Sequence, residues 1–243
     1  MDAAATAVRR IAVINPNTTA SMTAKMAECA RAVADASTEI VPVTNASGPA
    51  SIESHYDEAL AVPGLLAEVT RGEADGIDGF VIACFGDPGL DAAREVASGP
   101  VVGIAEAGFH LACMLGRSFS IVTTLARTIG QAELLVRRYG FADQCRSIYA
   151  CEVPVLELDE PGSDARKLVI DYCRRAVEYD EADSVVLGCA GMADFCHDVS
   201  EQVCVPIIDG VTAGVVLVES MIKLGLQTST RSEYAKPLPK TYT

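Results

Sequence analysis

Short and almost wholly apolar runs recur along the chain, and each leads into a segment whose apolar residues have helical spacing. Such runs are typical of parallel strands that are buried on both faces. The pattern predicts eight strands, at residues 11–14, 39–43, 79–83, 100–104, 118–122, 146–152, 184–187 and 205–208. Strands that alternate with helices indicate an α/β fold.

The segments between the strands predict helices. Pro63 and Gly64 lie inside the second of these segments and predict an interruption there, because both residues disfavour a helix interior. The last fifteen or so residues are polar, contain Pro237 and Pro239, and are expected to form an extended arm. Eight helices are predicted. The first ends near residue 34 and the fourth near residue 115. The other six cover residues 52–70, 90–97, 127–139, 165–181, 192–202 and 212–224.

The order of elements is repeated in the second half of the chain. Asn15 precedes Cys84 by 69 residues, and Thr123 precedes Cys189 by 66. Prolines that open a strand follow the two cysteines by 16 and 17 residues. This spacing predicts two pseudo-symmetric parallel-sheet units, Rossmann-like or flavodoxin-like, produced by an internal duplication. We expect one unit to comprise residues 1–116 with a returning helix and arm at 211–243, and the other to comprise 117–210.

Composition narrows the class of partner. Half of the 243 residues are apolar and 21% are charged, which is enough apolar material for a sizeable core. A net charge of −14 argues against nucleic acid and anionic membranes. No apolar run reaches the roughly 18–20 residues that span a bilayer, and the first residues lack a signal pattern. We therefore expect a cytoplasmic protein that acts on a small molecule.

Nine cysteines are present, an odd number without any CxxC pair, so a disulfide framework is not expected in a reducing compartment. Only three histidines occur, and no ligand cluster forms around them, so neither a metal nor another cofactor is expected. We interpret most cysteines as small buried apolar residues. Those interpreted as structural, together with His197, are Cys29, Cys113, Cys145, Cys151, Cys173, Cys196 and Cys204.

Two cysteines differ from the others because each one ends a buried run and is followed by a glycine-containing turn. These are Cys84 and Cys189. In open α/β sheets a ligand lies beyond the carboxyl ends of the strands, so two facing units would place both thiols on opposite walls of one cleft. Each turn leads into a predicted helix, whose N-terminus is expected to lower the pKa of the thiol.

Two facing thiols suit proton exchange at a carbon atom. One sulfur removes the proton from one face, and the other supplies a proton to the opposite face, so the stereocentre inverts without a cofactor. Backbone N–H groups and the side chains of Asn15, Thr123 and Thr124 are candidates to bind the substrate and stabilise the enolate oxygen. A Cys–His hydrolase is disfavoured, since no histidine follows a strand at a suitable position.

Several longer motifs resemble the hydantoin racemases, a branch of the aspartate/glutamate racemase superfamily, over nearly the whole chain. They are residues 14–19 (INPNTT), 48–53 (GPASIE), 56–60 (YDEAL), 82–94 (IACFGDPGLDAAR), 122–125 (VTTL) and 187–194 (LGCAGMAD). The resemblance implies two α/β units with the active site between them. It also implies cofactor-independent racemisation of 5-substituted hydantoins, Cys84 and Cys189 as the two bases, and a homo-oligomer, from dimer to hexamer.

The neighbours of the two thiols bear on the substrate. Amino-acid racemases of the superfamily place Asn and Thr side chains beside their cysteines, whereas this chain has Phe85 and Gly86 after the first and Ala190 and Gly191 after the second. Such a site offers mainly backbone N–H groups, which favours a neutral ring over a zwitterion. Allantoin racemase is the nearest alternative. A maleate isomerase, an arylmalonate-type decarboxylase and a non-catalytic two-lobed binding protein are less favoured.

Overall fold

The first half of the chain forms a four-stranded parallel sheet with the strand order β2-β1-β3-β4. The computed structural model describes residues 8–160 and 163–241. The central strands are fully buried, because helices cover both faces of the sheet. The four strands are β1 (Arg9–Asn15), β2 (Thr38–Thr44), β3 (Gly79–Ile82) and β4 (Val101–Gly103).

The second half repeats this arrangement. Its sheet is also parallel and has the order β6-β5-β7-β8, so the strands of the two sheets correspond one to one. The predicted architecture of two similar parallel-sheet units is confirmed. The strands are β5 (Phe119–Thr123), β6 (Cys145–Ala150), β7 (Ser184–Gly188) and β8 (Ile207–Asp209).

The strands are joined by helices, and the connection β7–β8 starts with a 3-10 turn at Ala190–Phe195. None of the described helices is both long and apolar enough to cross a membrane. The helices are α1 (Ala20–Val33), α2 (His55–Ala74), α3 (Leu90–Val96), α4 (Ile104–Leu115), α5 (Ile129–Arg138), α6 (Ala165–Asp180), α7 (Cys196–Val203) and α8 (Gly210–Lys223). The other 3-10 segments are Ala126–Thr128, Val155–Asp159 and Ser232–Tyr234.

The last helix of each half of the chain packs onto the sheet formed by the other half. Gly108 of α4 lies so close to Val186 of β7 that a Cβ atom would stand 2.8 Å from its methyl group. Gly214 of α8 makes the equivalent approach to Val81 of β3, at 2.9 Å. Helices α4 and α8 also pack against each other. This reciprocal packing of α4 and α8 holds the two sheets together. Glycine is needed at both contacts because a side chain would not fit.

The structure corrects the prediction for helix α2. The helix begins at His55 instead of residue 52, because Ser54 caps it by accepting the N–H of Asp57. It also continues through Pro63 without a break. Ala59, whose carbonyl loses its partner at the proline, is exposed to solvent.

Gly64 allows Asn45 to pack against the helix beside Pro63. A side chain there would collide with Asn45, since its Cβ would lie 2.1 Å from Asn45 Oδ1. Asn45 in turn donates to the carbonyl of Ala61 within the same helix. Tertiary contact thus overrides the weak helix propensity of the Pro-Gly pair. The predicted helix at 192–202 is likewise replaced by the 3-10 turn followed by α7.

Candidate active site

A cavity lies between the two units at the carboxyl ends of β3, β5 and β7, and both predicted thiols line it. The space not filled by atoms is about 570 Å³, including the solvent-open entrance. Coulomb repulsion from Cys189 contributes to the raised pKa of Cys84, as expected for two sulfurs that share one cavity. The lining residues are Asn17, Met22, Met26, Ile52, Ala83, Cys84, Phe85, Gly86, Thr123, Thr124, Thr128, Gln131, Ala132, Val155, Gly188, Cys189 and Ala190.

Seven of the nine predicted site residues therefore line the cavity: Cys84, Phe85, Gly86, Thr123, Thr124, Cys189 and Ala190. The other two, Asn15 and Gly191, are not among the lining residues. All nine cysteines lie in the described ranges, and Cys84 and Cys189 are the two that reach this cavity. The catalytic role of the two thiols stays a prediction at this point.

Cys84 lies directly beyond β3, in a tight turn. The N–H of Asp87 donates to the Cys84 carbonyl at 3.0 Å, and Asp87 has a positive φ of 44°. Burial raises the pKa of the Cys84 thiol from 9.0 to about 12, and the N–H of Gly86 offsets only part of this rise. For Cys84 the expectation of a lowered pKa is wrong, because burial dominates and the next helix starts only at Leu90.

The buried carboxylate of Asp87 fixes the Cys84 turn to the start of α4. It accepts the backbone N–H groups of Ala105 at 3.0 Å and Glu106 at 2.9 Å, and the Tyr139 hydroxyl at 2.8 Å. Burial nevertheless raises the pKa of Asp87 to about 7. Gly103 permits the close approach, since a Cβ there would stand 2.2 Å from the carboxyl carbon. The turn is thus tied to the strand β4 beside it.

Cys189 follows β7 directly and starts the 3-10 turn at Ala190–Phe195. The Met192 N–H donates to the Cys189 carbonyl at 3.0 Å, which closes the first turn. Gly191 lies next to the thiol, because a Cβ at this position would stand 3.6 Å from the Cys189 sulfur. A side chain at position 191 would therefore reach toward the thiol, although the glycine itself does not line the cavity.

The two threonines beyond β5 play different parts. The Thr123 hydroxyl donates to the carbonyl of Gly188 at 3.1 Å and lies 3.1 Å from the Thr128 hydroxyl, so it links β5 to the strand that carries Cys189. Thr124 lines the same cavity, and no hydrogen-bond partner for its hydroxyl occurs among the described residues. Thr124 is therefore the threonine whose hydroxyl is available to a ligand.

The asparagine that lines the cavity at the end of β1 is Asn17, and not Asn15 as predicted. Asn15 is buried behind the wall, where its amide nitrogen donates to Asn17 Oδ1, to the Thr19 carbonyl and to the Thr23 hydroxyl. Asn17 lines the cavity instead. Its Oδ1 is held by Asn15 and by the Thr19 N–H at 2.9 Å. Among the described residues, its Nδ2 has only the sulfur of Met22 as an acceptor, at 3.6 Å.

The outer part of the cavity is closed by a contact between the units. Ile52, in the loop before α2, and Val155, in the second unit, both line it. The Val155 N–H donates to Glu53 Oε1 at 2.8 Å and so ties the two segments together. The loop is held on its other side by the Thr19 hydroxyl, which donates to the Ala50 carbonyl at 2.7 Å.

Sequence reasoning missed the part of the wall that distant elements supply. Asn17 could have been found, since it stands two residues past Asn15 in the same strand-end loop. Ala83 and Gly188 could also have been found, since each directly precedes a predicted thiol. The rest give no local signal, because helices α1 and α5, the segment that leads into α5, and the Ile52 and Val155 segments reach the cavity only through tertiary folding. Besides Asn17, the missed residues are Met22, Met26, Ile52, Ala83, Thr128, Gln131, Ala132, Val155 and Gly188.

Two similar parallel-sheet units, with a thiol from each in the cavity between them, define a class of duplicated α/β enzymes. A family model described as Asp/Glu/hydantoin racemase matches residues 11–218 of the chain. The chain belongs to this family, and it is an isomerase of the racemase type.

Relatives that match nearly the whole chain include named racemases. A hydantoin racemase of Pseudomonas sp. (strain NS671) is 46% identical over 96% of this chain and 94% of its own. A hydantoin racemase of Rhizobium meliloti is 47% identical over 93% of this chain and 94% of its own. A solved allantoin racemase from Klebsiella pneumoniae is 47% identical, with a TM-score of 0.95 and coverage of 97% of this chain and 96% of its own.

Proposed function

We propose that this protein racemises 5-substituted hydantoins at C5 by a two-base mechanism that uses Cys84 and Cys189 and requires no cofactor. The observation that carries the proposal is the composition of the cavity wall. Both thiols line it, and none of the described lining residues has a charged side chain. A neutral ring fits this wall, whereas an amino-acid zwitterion would leave its charges without partners.

The chemistry follows from the two thiols. A thiolate removes the C5 proton and becomes a thiol, and the electron pair of the broken C–H bond moves into the adjacent carbonyl to give an enolate. The opposite thiol then donates its proton to the other face of C5 and becomes the thiolate. The product is the mirror-image hydantoin. The first sulfur then loses its proton to solvent and the second takes one from solvent, which restores the starting state.

The raised pKa of Cys84 assigns a proton to this sulfur in the resting enzyme. The enantiomer whose C5–H faces Cys189 uses Cys189 as the base and Cys84 as the acid, which is the direction that a protonated Cys84 serves. The other enantiomer requires the proton to be on Cys189 instead.

Enolate stabilisation is assigned to neutral donors. The Gly86 N–H already lowers the pKa of Cys84, which shows that it points into the region of the sulfur. The Nδ2 of Asn17 and the hydroxyl of Thr124 stand on the same wall with unused hydrogen-bonding capacity among the described residues. Preorganised donors of this kind stabilise the charge that develops on a carbonyl oxygen.

Two kinds of substrate are named among the relatives. Relatives named hydantoin racemase and a structure named allantoin racemase match this chain at 46–47% identity. Allantoin is itself a hydantoin, with a ureido group at C5, so it remains the second candidate substrate. The wall contains the polar side chains of Asn17, Thr124 and Gln131, which suit a polar substituent such as the ureido group of allantoin.

Three further properties belong to the same proposal. The protein is proposed to be a homo-oligomer, from dimer to hexamer, and to act in the cytoplasm. The division into residues 1–116 with 211–243 and residues 117–210 is also proposed. It is supported by the packing of α8 on β3, although α4 contacts both sheets.

Polarimetry with a pure enantiomer of benzylhydantoin, and then of allantoin, tests the reaction. The wild-type protein should remove the optical rotation of at least one of them. Cys84→Ser and Cys189→Ser should each lower the rate by a hundredfold or more, in line with the about 10²–10⁴-fold that acid–base groups contribute. Cys204→Ser, an exposed thiol away from the cavity, is the matched control.

Solvent deuterium separates the two roles. Each single serine variant should retain exchange of the C5 proton for only one enantiomer, and that enantiomer should differ between the two variants. Near wild-type racemisation in both variants would show that the two-base assignment is incorrect. An unchanged rotation of both substrates with the wild-type protein would refute the proposed reaction.

A further inference from the structure

The wall of the cavity beside Gly86 is formed by a hydrogen-bonded pair from α5 and α2. Gln131 Nε2 donates to Glu58 Oε2 at 2.5 Å. The pair lies directly against the Cys84 turn, since a Cβ at Gly86 would stand 2.6 Å from Gln131 Nε2. A glycine at position 86 is therefore required for the Gln131 amide to stand against the Cys84 turn.

Glu58 fixes the orientation of this amide. A carboxylate can only accept hydrogen bonds, so the NH₂ group of Gln131 must face it and the amide oxygen must face away. Glu58 is partly buried, and its remaining partner is His55 Nδ1 at 3.8 Å. Burial raises the pKa of Glu58, and the bonds from His55 and Gln131 act against that rise. The carboxylate thus depends on Gln131, and Gln131 is oriented by it.

The amide oxygen of Gln131 is an unused acceptor. Gln131 lines the active-site cavity, and no donor of the described residues reaches its Oε1. The atom is not among the buried unpartnered ones of the described chain, so it is accessible to a ligand. An accessible acceptor that is held in place by its own NH₂ group is suited to take a hydrogen bond from an N–H donor.

Gln131 also separates the active-site cavity from a second pocket. This outer pocket shares Gly86 and Gln131 with the first and is also bordered by His55, Glu58 and Asp87. A group that extends from the active-site cavity toward this outer pocket passes Gly86 and Gln131, since these two residues border both.

We propose that Gln131, oriented by Glu58, is a specificity-determining residue that selects hydantoins whose C5 substituent carries N–H donors, as the ureido group of allantoin does. The inference rests on the proposed function. Gln131 Oε1 accepts an N–H of the substituent, and an aryl or alkyl substituent leaves this acceptor unpaired. Glu58 is a positioning residue, since it acts through the orientation of the amide.

The test compares kcat/KM for allantoin and for benzylhydantoin in the wild-type protein and in Gln131→Leu. Loss of one neutral hydrogen bond predicts that the ratio of kcat/KM, allantoin over benzylhydantoin, falls about tenfold. Glu133→Gln is the matched control, because Glu133 is exposed on the same helix and pairs only with Arg137 in the described chain. The control should leave the ratio within twofold of wild type.

Glu58 supplies a second readout. Glu58→Gln keeps an oxygen that can accept the Gln131 NH₂ group, so it should retain the wild-type ratio, whereas Glu58→Leu should lower the ratio as Gln131→Leu does. Equal ratios in all variants would overturn the inference. A parallel loss for both substrates would also overturn it, since Gln131 would then serve the ring. Failure of the wild-type protein to racemise either substrate would instead refute the proposed function, and the inference with it.

Discussion

The raised pKa of the Cys84 thiol can be tested directly through its rate of alkylation. Its thiol has a pKa of about 12, compared with 9.0 for an unperturbed cysteine, because burial disfavours the charged form. At pH 8 only about one Cys84 in ten thousand is then a thiolate, against about one in ten for an unperturbed thiol. The thiolate is the species that reacts, and a more basic thiolate is also more nucleophilic, so alkylation of Cys84 by iodoacetamide at pH 8 should be roughly 30–60-fold slower than that of an unperturbed cysteine.

Mass spectrometry of peptides, taken at timed intervals of alkylation, gives the rate for each cysteine separately. The exposed Cys204 serves as the internal reference. Slow access of the reagent would also reduce the rate of Cys84, so the dependence on pH decides between the two causes. A raised pKa predicts a tenfold increase per pH unit from pH 8 through pH 10. A rate that levels off near pH 9 would show that the thiol ionises normally, and the resting proton could not be assigned to Cys84.

Two further predictions concern the support of the Cys84 turn. Gly103→Ala places a methyl group within 2.2 Å of the Asp87 carboxyl carbon, so urea unfolding should show a loss of about 1–3 kcal/mol together with reduced racemisation. Gly130→Ala, where a Cβ meets nothing within 4 Å, should not destabilise the protein. Because the folded state raises the pKa of Asp87 from 3.8 to about 7, protonated Asp87 stabilises the protein at low pH, and this contribution fades between about pH 4 and 7. The stability of wild type relative to Asp87→Asn should therefore fall by up to about 1.4 kcal/mol per pH unit across this window, and a constant difference would contradict the assignment.

Local patterns were sufficient to predict the architecture. Apolar runs such as residues 79–83 and 184–187 are buried strands, and the matched positions of Cys84 and Cys189 predicted the correspondence between the two sheets. Strand ends meet at one edge of a parallel sheet, so the residues that follow them gather without any knowledge of the loops. This is why seven of the predicted residues line the cavity.

Features that depend on contacts between distant elements could not be predicted in this way. The pKa of Cys84 was expected to fall because a helix follows it, but burial outweighs a helix that begins six residues later. Gln131 lies 45 positions after Gly86 in the sequence, and only the folded chain brings them together. The continuous helix α2 likewise reflects the contact between Gly64 and Asn45, which no local propensity contains.

The two halves of the site are similar in backbone and unlike in chemistry. The turn after Cys84 is held from behind by the buried carboxylate of Asp87, whereas the turn after Cys189 is held by Arg166, which bonds to Asp194 at 3.1 Å and lies over the Phe195 ring. The two thiols therefore have unequal surroundings.

This inequality has a thermodynamic limit. Two enantiomers have the same free energy in water, so the equilibrium constant of racemisation is one and kcat/KM must be equal in the two directions. A difference between Cys84 and Cys189 can therefore not favour one product. It can only appear as matched changes of kcat and KM between the enantiomers, since a form of the enzyme that binds one of them tightly must release it more slowly. The asymmetry around the thiols thus sets which enantiomer binds the resting enzyme, while the overall reaction stays symmetric.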